Sequence, residues 1–290
     1  MKNFIKYLLS LMFLIVMLAY GLDYIYTVSF KESNYRSKVG YAYNEKPKAY
    51  DVVILGSSRA DNHLVTKMFT DKKMVAFNFG MQGAKLFESD LVLKLLLEKK
   101  NTIKNVIIDV DVTLRTDKKS EAIYLKFLPY LHRSDSVKRH LECLSDFNLL
   151  YNVPFYKYMK YDTKIGFREV VMNFLNKRGN ELDNGGYHGL PNNSEISGEN
   201  LKTEPIRNKY YEEIKEICKK RNINLIAVMT PMCENVKGMD YFDKVKKIYP
   251  EIYNYENVVV EDKYFSSCGH MNDEGARIFT QRIITDFFSK

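Results

Sequence analysis

The chain begins with a long apolar stretch. Residues 7–22 read YLLSLMFLIVMLAYGL and carry no charge, and apolar residues continue past Asp23 to Val28. A helix needs about 20 mostly apolar residues to cross the hydrocarbon core of a bilayer. The pattern therefore predicts a transmembrane helix within residues 1–30, with membrane contact through residues 4–30.

The charges around this stretch predict its role and orientation. Lys2 and Lys6 precede it, which favours a signal anchor with its amino end in the cytoplasm. A cleaved signal peptide and a buried core helix remain open as alternatives, although Ala19-Tyr20-Gly21 is a poor cleavage site. We expect a single-pass protein of the cell membrane whose carboxyl-terminal domain is extracytoplasmic.

After a polar, aperiodic segment, interpreted as a stalk over residues 31–50, short apolar runs alternate with helical patterns. This alternation predicts an α/β fold of three layers, α/β/α, with a mainly parallel, flavodoxin-like sheet. Strands are predicted at Val52–Leu55, Met74–Phe79, Asn105–Val112, Leu225–Met229 and Val258–Val260, and helices from about Ala84, over Ile206–Lys220 and over Asp273–Phe288.

The alternation stops between about residues 115 and 200. This part is helical at first and then irregular, and it is rich in Tyr, Lys and Asn. We interpret it as an insertion between the third and fourth strands of a domain that covers residues 51–290. Its Tyr- and Lys-rich stretch over residues 151–164 fits either a sugar-binding face or a helix that packs its rings.

Composition limits the classes of function. The formal net charge is +8, but the sequence has no long Lys/Arg run and carries an export signal, so nucleic acid is not an expected partner. The four cysteines form no CxxC pair, and no Cys/His cluster has zinc spacing. No P-loop, GxGxxG, HExxH or EF-hand motif is present. We therefore expect neither a metal nor an organic cofactor, and the cysteines do not fix the compartment.

Three short motifs carry candidate chemistry. Gly56-Ser57-Ser58-Arg59 follows the first strand, where a serine at a sharp turn acts as a nucleophile if a base reaches it. Residues 78–83 (NFGMQG) follow the second strand, and a free N–H group there can stabilise an oxyanion. His270 precedes the last helix. Each motif alone also fits a plain turn or a structural histidine.

Taken together, the order strand–GxS, strand–NxGxxG and HxNxxGA resembles the SGNH hydrolase superfamily, also called GDSL-like esterases. The resemblance covers roughly residues 51–114 and 223–288. It implies that Ser58 is the nucleophile, that His270 is the general base, and that the N–H groups of Ser58 and Gly83 form the oxyanion hole. Ser57 stands where the common motif has Asp. The anchor is similar to that of envelope members, which include polysaccharide O-acetyltransferases and the D-alanyl transfer protein of teichoic acid decoration.

Two departures from the family pattern matter. The acid that usually stands three residues before the histidine is replaced by Ser267, and Asp262 is a nearby candidate substitute. The third-block Gly-x-Asn is missing, so that Asp109 or Asp111 lies near the place of the oxyanion Asn. A carboxylate would oppose an oxyanion, but it could orient a hydroxyl substrate.

Two further residues are possible accessories. His63 lies five residues after Ser58 and either faces the same rim or packs against the helix. Arg59 adjoins Ser58 and binds either an anionic group of the substrate or a carboxylate of the protein.

The sequence thus predicts acyl-ester hydrolysis or transfer on a cell-envelope polysaccharide, in which a membrane acyltransferase is a possible partner. Two alternatives stay open. One is a catalytically degenerate domain that binds glycan or a protein partner, and the other is a lipase-type esterase with a soluble substrate.

Overall fold

Five parallel strands build the sheet, and their ranges are β1 (Ala49–Leu55), β2 (Ala76–Asn78), β3 (Thr102–Asp109), β4 (Asn224–Met229) and β5 (Tyr253–Asn254). The structure describes residues 1–31, 33, 35–110, 112–193, 196, 198 and 200–289. The strand order in this computed structural model is β2-β1-β3-β4-β5. This is the flavodoxin-like order, in which ligands bind beyond the carboxyl ends of the strands where the strand order reverses. The predicted α/β class and parallel sheet are confirmed.

The helices lie between and after these strands. In chain order they are α1 (Lys2–Lys31), α2 (Lys38–Asn44), α3 (Ser58–His63), α4 (Thr66–Thr70), α5 (Leu86–Glu98), α6 (Asp135–Leu141), α7 (Phe147–Asn152), α8 (Tyr156–Lys160), α9 (Asp162–Ile165), α10 (Phe167–Phe174), α11 (Lys209–Arg221), α12 (Asp240–Ile248) and α13 (Asp273–Phe288). A two-stranded antiparallel hairpin, β6 (Phe265–Ser267) and β7 (His270–Met271), precedes α13.

Both faces of the sheet are buried. Val52 and Ile54 of β1 join a core cluster with Ile107, Phe279 and Ile283. Side chains at alternate positions of a strand point to opposite faces. Val53, Val106 and Ile108 therefore point to the other face, and they too are fully buried. On the helical layers, α3 contacts α13 and α5 contacts α11. The hydrophobic effect thus fixes the sheet between two helical layers.

The chain divides into two units, each made of two segments. The larger unit comprises Lys46–Ile123 and Asn180–Lys290 and contains the sheet. The smaller unit comprises Met1–Glu45 and Tyr124–Gly179. The second segment of the smaller unit lies inside the predicted insertion of residues 115–200.

In the smaller unit, α1 is long and apolar enough to cross a membrane, with a mean hydropathy of 2.1 over its most apolar window. That window is unburied, and a signal sequence would pass the same test of length and composition. The outer end of α1 packs on the insertion, where Thr27 hydrogen-bonds Tyr158 at 2.8 Å and Tyr158 is 1% exposed. The Tyr- and Lys-rich stretch thus packs this ring rather than presenting it as a face for sugars.

Two predicted elements are wrong. The fifth strand lies at Tyr253–Asn254, which pairs with Val228 and Met229, and not at Val258–Val260. Val258 and Val259 lie in a bend, where Val259 is 3% exposed in the core, so that the apolar pattern reflects burial and not strand pairing. The segment interpreted as a stalk contains α2, whose Val39 and Ala42 are buried.

Candidate active site

The turn after β1 is built around Gly56 and Asp109. Gly56 has φ +139°, and a Cβ there would lie 2.8 Å from Cβ of Ala60 and 3.0 Å from Cβ of Asp109, so only glycine fits. Ser57 Oγ donates to Oδ2 of the fully buried Asp109 at 2.7 Å and accepts from the Arg59 N–H at 3.2 Å. Ser57 therefore caps α3 and ties β1 to β3. Asp109 orients this serine rather than a substrate hydroxyl.

Ser58 is the first residue of α3 and meets His270. Its Oγ lies 2.8 Å from Nε2 of the imidazole, and both side chains are only half-buried. This distance is within the range expected of a nucleophile and its general base. Two residues 212 positions apart thus meet at the carboxyl end of β1, as the motif order predicts.

The hairpin β6–β7 explains the orientation of the imidazole. Ser267 and His270 pair across its two strands, with Cys268 and Gly269 between them. Directly opposed residues of an antiparallel pair have neighbouring side chains, and Ser267 Oγ lies 3.1 Å from Nδ1 of His270. A hydroxyl group that accepts from Nδ1–H leaves the lone pair of Nε2 directed at Ser58.

Two further contacts hold the hairpin. A disulfide joins Cys233 to Cys268, and the Cys233 N–H donates to the Cys268 carbonyl at 3.1 Å. The Met271 N–H donates to Nε2 of His63 at 3.0 Å, while Nδ1 of His63 lies 3.1 Å from Thr230 Oγ1. His63 thus supports the backbone next to His270 and does not face the rim.

The environment of His63 keeps its ring neutral. Burial, followed by the positive charge of Arg59 and the proximity of the titratable ring of His270, lowers the pKa of His63 well below its ordinary value of 6.5. Because Nε2 accepts the Met271 N–H, the ring proton lies on Nδ1 and points to Thr230. This neutral tautomer satisfies both contacts.

Arg59 is a structural residue in this geometry. Its side chain is buried, and its guanidinium donates to Thr230 Oγ1 at 2.8 Å, to the Thr230 carbonyl at 2.8 Å and to the Pro231 carbonyl at 2.9 Å. These contacts fix the loop after β4 beside α3. They favour the internal alternative for Arg59 over the binding of an anionic substrate group.

The second motif lies beside the Gly56 turn. The Met81 N–H donates to the Gly56 carbonyl at 3.1 Å, while the Asn78 side chain accepts from the Gly80 N–H at 2.8 Å. Gly83 follows in an exposed turn with φ +79°, where a left-handed conformation favours glycine. Among the described residues, no acceptor contacts the N–H groups of Gly83 or Ser58.

The remaining candidates lie elsewhere. The Asp262 carboxylate accepts from the Glu234 N–H at 3.1 Å and from Asn235 Nδ2 at 2.8 Å, so it caps the loop that carries Cys233. It is Ser267, not Asp262, that faces the outer nitrogen of His270. Asp111 lies outside the described residues. In the part of the chain that the structure describes, no group of three His, Cys, Asp or Glu residues is placed to hold a metal ion.

One pair near the site escaped the sequence analysis. Asp61, one turn after Ser58 on α3, contacts Nδ1 of His188 at 2.8 Å, and Nε2 of His188 lies 2.9 Å from the Asn180 carbonyl. This pair fixes residues 180–188 beside α3. The sequence shows that Asp61 follows Ser58 by three residues and therefore lies one helical turn away. The irregular pattern around His188 does not indicate that this histidine pairs with Asp61.

Sequence comparisons add no relative. No protein-family model matches the chain, and no curated protein matches it. The chemical interpretation therefore depends on the contact of Ser58 with His270 and on the orientation of the imidazole by Ser267. That geometry suits attack by an activated hydroxyl on a carbonyl carbon.

Proposed function

We propose that the larger unit is an SGNH-like domain that hydrolyses or transfers acyl esters through Ser58 and His270. The observation that carries the proposal is the 2.8 Å contact between Ser58 Oγ and His270 Nε2. Ser58 Oγ attacks the acyl carbon while its proton passes to Nε2. The leaving alcohol then takes that proton, and an ester bond joins the acyl group to Ser58.

The second half of the reaction defines the outcome. Water or a glycan hydroxyl loses its proton to Nε2 of His270 and attacks the acyl carbon. The bond between that carbon and Ser58 Oγ then breaks, and Ser58 Oγ takes the proton back from His270. Water gives hydrolysis and a glycan hydroxyl gives transfer. The N–H groups of Ser58 and Gly83 are available to stabilise the oxyanion in both steps, a contribution that typically amounts to about 10²–10³ in kcat for one donor.

The proposed substrate is an acylated polysaccharide of the cell envelope. Two features support this choice. Helix α1 suits a membrane anchor, with Lys2 and Lys6 on the cytoplasmic side, and the Cys233–Cys268 disulfide suits an oxidising compartment outside the cytoplasm. On this proposal, the sheet domain is extracytoplasmic, and a membrane acyltransferase is a suitable donor of acyl groups.

The experiment uses the full chain in membranes and a fluorophosphonate probe, which forms a covalent adduct with activated serines. We expect one adduct, on the peptide that contains Ser58. Ser58→Ala should abolish it and His270→Ala should slow it by at least about 10²-fold. Ser266→Ala, a neighbouring hydroxyl on β6, is the control and should leave labelling unchanged. Labelling that survives Ser58→Ala would exclude Ser58 as nucleophile.

A second candidate function follows from one observation. The residue at Nδ1 of His270 is the neutral and exposed Ser267, whereas a carboxylate would stabilise the imidazolium. This favours, as the alternative, a degenerate domain that binds envelope glycan. Two results together would establish this alternative in place of the enzyme. The folded chain would form no adduct with the probe, and it would bind purified envelope glycan with the same affinity with and without Ser58→Ala.

A further inference from the structure

We propose that the segment around α8 in the smaller unit, residues 153–159, is a contact surface for anionic phospholipid headgroups. The proposal rests on α1 spanning the membrane, as proposed above. It adds a second point of membrane contact, which comes from the insertion and not from the anchor.

The length of α1 fixes the depth of its residues. A helix of 30 residues is about 45 Å long at 1.5 Å per residue, whereas the hydrocarbon core is about 30 Å thick and takes about 20 residues. Asp23 is the first charged residue after the uncharged run of residues 7–22. Because a carboxylate inside hydrocarbon is costly, Asp23 lies at the boundary between the core and the headgroups.

Asp23 holds the insertion at this depth. Its Oδ1 accepts from Lys157 Nζ at 2.5 Å and from the Phe155 N–H at 3.0 Å. One turn further along α1, Tyr26 packs edge-on against Phe155, with ring centroids 4.9 Å apart. Phe155 adopts φ +65°, an unfavourable conformation for a bulky residue that this set of contacts maintains. The segment 153–159 is thereby fixed at the level of the headgroups.

The side chains that flank these contacts are apolar and exposed. Val153 is 42% exposed and Met159 is 66% exposed, and further exposed apolar residues of the insertion are Leu149, Phe167, Phe174 and Leu175. Among the described large hydrophobic residues of the larger unit, none exceeds 46% exposure. Exposed apolar side chains on a segment held at the membrane surface, here Val153 and Met159, are typical of interfacial contact.

Charge specifies the lipid. Residues 124–179 contain ten Lys and Arg against five Asp and Glu, a net charge of +5 out of +8 for the whole chain. Each Lys or Arg near an anionic bilayer surface adds electrostatic attraction to that surface. Apolar side chains at the headgroup level together with a basic surrounding suit anionic phospholipids better than zwitterionic ones.

The experiment measures lipid contact by fluorescence quenching in the full chain, reconstituted into vesicles of phosphatidylglycerol and phosphatidylcholine with bromine on the acyl chains. An environment-sensitive fluorophore is attached to Val153→Cys or Met159→Cys in a Cys143→Ser background. This background is suitable because Cys218 is buried, burial raises its pKa to about 12, and the other two cysteines form the disulfide.

We expect brominated lipid to remove at least about half of the fluorescence at both positions, since interfacial groups lie roughly 5–10 Å deep. Replacing phosphatidylglycerol by phosphatidylcholine should weaken the quenching. Val260→Cys is the matched control, because this valine of the larger unit is 44% exposed. Equal quenching at 153 and 260 would overturn the proposal, since it would show no preference for the α8 segment.

A label at Leu14→Cys separates this inference from the proposed anchor. Quenching at Leu14 without quenching at 153 and 159 would overturn the surface contact and leave the anchor intact. Absence of quenching at Leu14 would refute the anchor, and the proposal with it. A second copy of the chain is the other occupant that the experiment can detect. In that case the label at position 159 is shielded from water but not quenched by lipid, and Met159→Cys copies crosslink to one another, which would overturn the proposal.

Discussion

At the scale of single residues, Ser267 is the contact that bears most directly on the proposed role of His270 as a base. Its hydroxyl lies at Nδ1, where it can hold the tautomer that directs the lone pair of Nε2 at Ser58. It carries no charge, so it cannot neutralise the imidazolium that forms when Ser58 loses its proton. Among the contacts of the described residues, the site therefore has the orientation of a triad with a neutral hydroxyl at the position that an acid takes in such triads.

A carboxylate at position 267 should raise the rate of ester cleavage. In buried triads the acid contributes about 10⁴-fold, but position 267 is exposed, so screening by water should limit the gain of Ser267→Asp to roughly 10- to 1000-fold. Ser267→Ala should lower kcat because Nδ1 loses its acceptor. Steady-state hydrolysis of small acetyl esters by the full chain checks both, with Ser266→Ala as control. Equal rates for all four proteins would show that position 267 does not act on His270.

His63 makes stability depend on pH. Its folded-state pKa lies well below 6.5, so the unfolded chain binds the proton first as pH falls. The stabilisation is therefore fully present above pH 6.5 and is lost as pH falls below that value. His63→Gln keeps one donor and one acceptor but does not titrate. Its destabilisation relative to wild type should thus shrink between pH 7.5 and pH 5.

Denaturant unfolding of the full chain in detergent at both pH values measures this difference in the free energy of unfolding. His140→Gln, on the partly exposed helix α6, is the control and should give no such convergence. A constant difference between wild type and His63→Gln would show that His63 is protonated equally in both states.

Local sequence predicted the pairing of Ser58 with His270 because each lies in a short motif at the end of an element. It did not distinguish the alternatives for Arg59 and His63. Their partner Thr230 stands 171 and 167 positions away, and nothing in the pattern around either residue indicates this contact. Buried polar groups need partners, but only the folded chain shows which ones.

At the scale of elements, the hairpin β6–β7 carries His270, so its position sets the position of the proposed base. The Cys233–Cys268 disulfide closes a loop with a sequence separation of 35 residues and fixes the residue next to Ser267. Since crosslinks of this kind stabilise by roughly 2–4 kcal/mol, Cys233→Ala with Cys268→Ala should lower the melting temperature and also the labelling rate of Ser58.

Thermal unfolding and probe labelling, each with and without reductant, test this effect. Reductant should reproduce the double variant in wild type and change neither property of the double variant. Cys143→Ala, which removes an exposed free thiol, is the control. Unchanged labelling after reduction, with the melting temperature lowered, would show that the disulfide stabilises the fold but does not position His270.

Elements with a clear period or a capping residue were predictable, and short ones were not. Helix α13 begins after its cap Asn272, whose Oδ1 accepts from the Gly275 N–H at 3.0 Å, and its bounds match the prediction. Strand β5 has only two residues, which are too few to show an alternation of apolar and polar positions. The nearby Val258–Val260 has the apolar pattern of a strand because Val259 is buried in the core. Helix α2 was missed because its buried face is short and includes Lys38.

At the scale of the whole molecule, both units are discontinuous in sequence, and ion pairs tie the two segments of the smaller unit together, of which the pair of Lys157 with Asp23 is the more buried. Lys157 has a side chain only 2% exposed and pairs with Asp23, which is 21% exposed. Lys157→Met should therefore destabilise the unit by up to about 3 kcal/mol, because it leaves the carboxylate without its cation. The double variant Asp23→Asn with Lys157→Met should recover part of that loss.

Thermal unfolding of the full chain in nanodiscs measures these changes. Lys160→Met is the matched control, since Lys160 forms an exposed ion pair with Asp146 and should cost at most about 1 kcal/mol. A double variant less stable than Lys157→Met alone would show that the Asp23 carboxylate has another essential role.

The sequence predicted the division of the chain into two units only in part. The break in the β/α alternation indicated the insertion, because the loss of a regular hydrophobic pattern can be recognised without knowing which residues are in contact. The association of residues 124–179 with Met1–Glu45 was not predicted, since contacts such as that of Thr27 with Tyr158 join positions that are 131 residues apart.

The discontinuous smaller unit also sets an order of events during synthesis. Helix α1 is translated first, but the residues that cover Asp23 and Tyr26 arrive more than 120 positions later, after β1, β2 and β3. Until then the outer end of the helix has no protein partner, and closing so long a loop carries an entropic cost. A bilayer would lower this entropic cost. A helix fixed in the bilayer presents its outer end in one orientation to each new segment that leaves the ribosome.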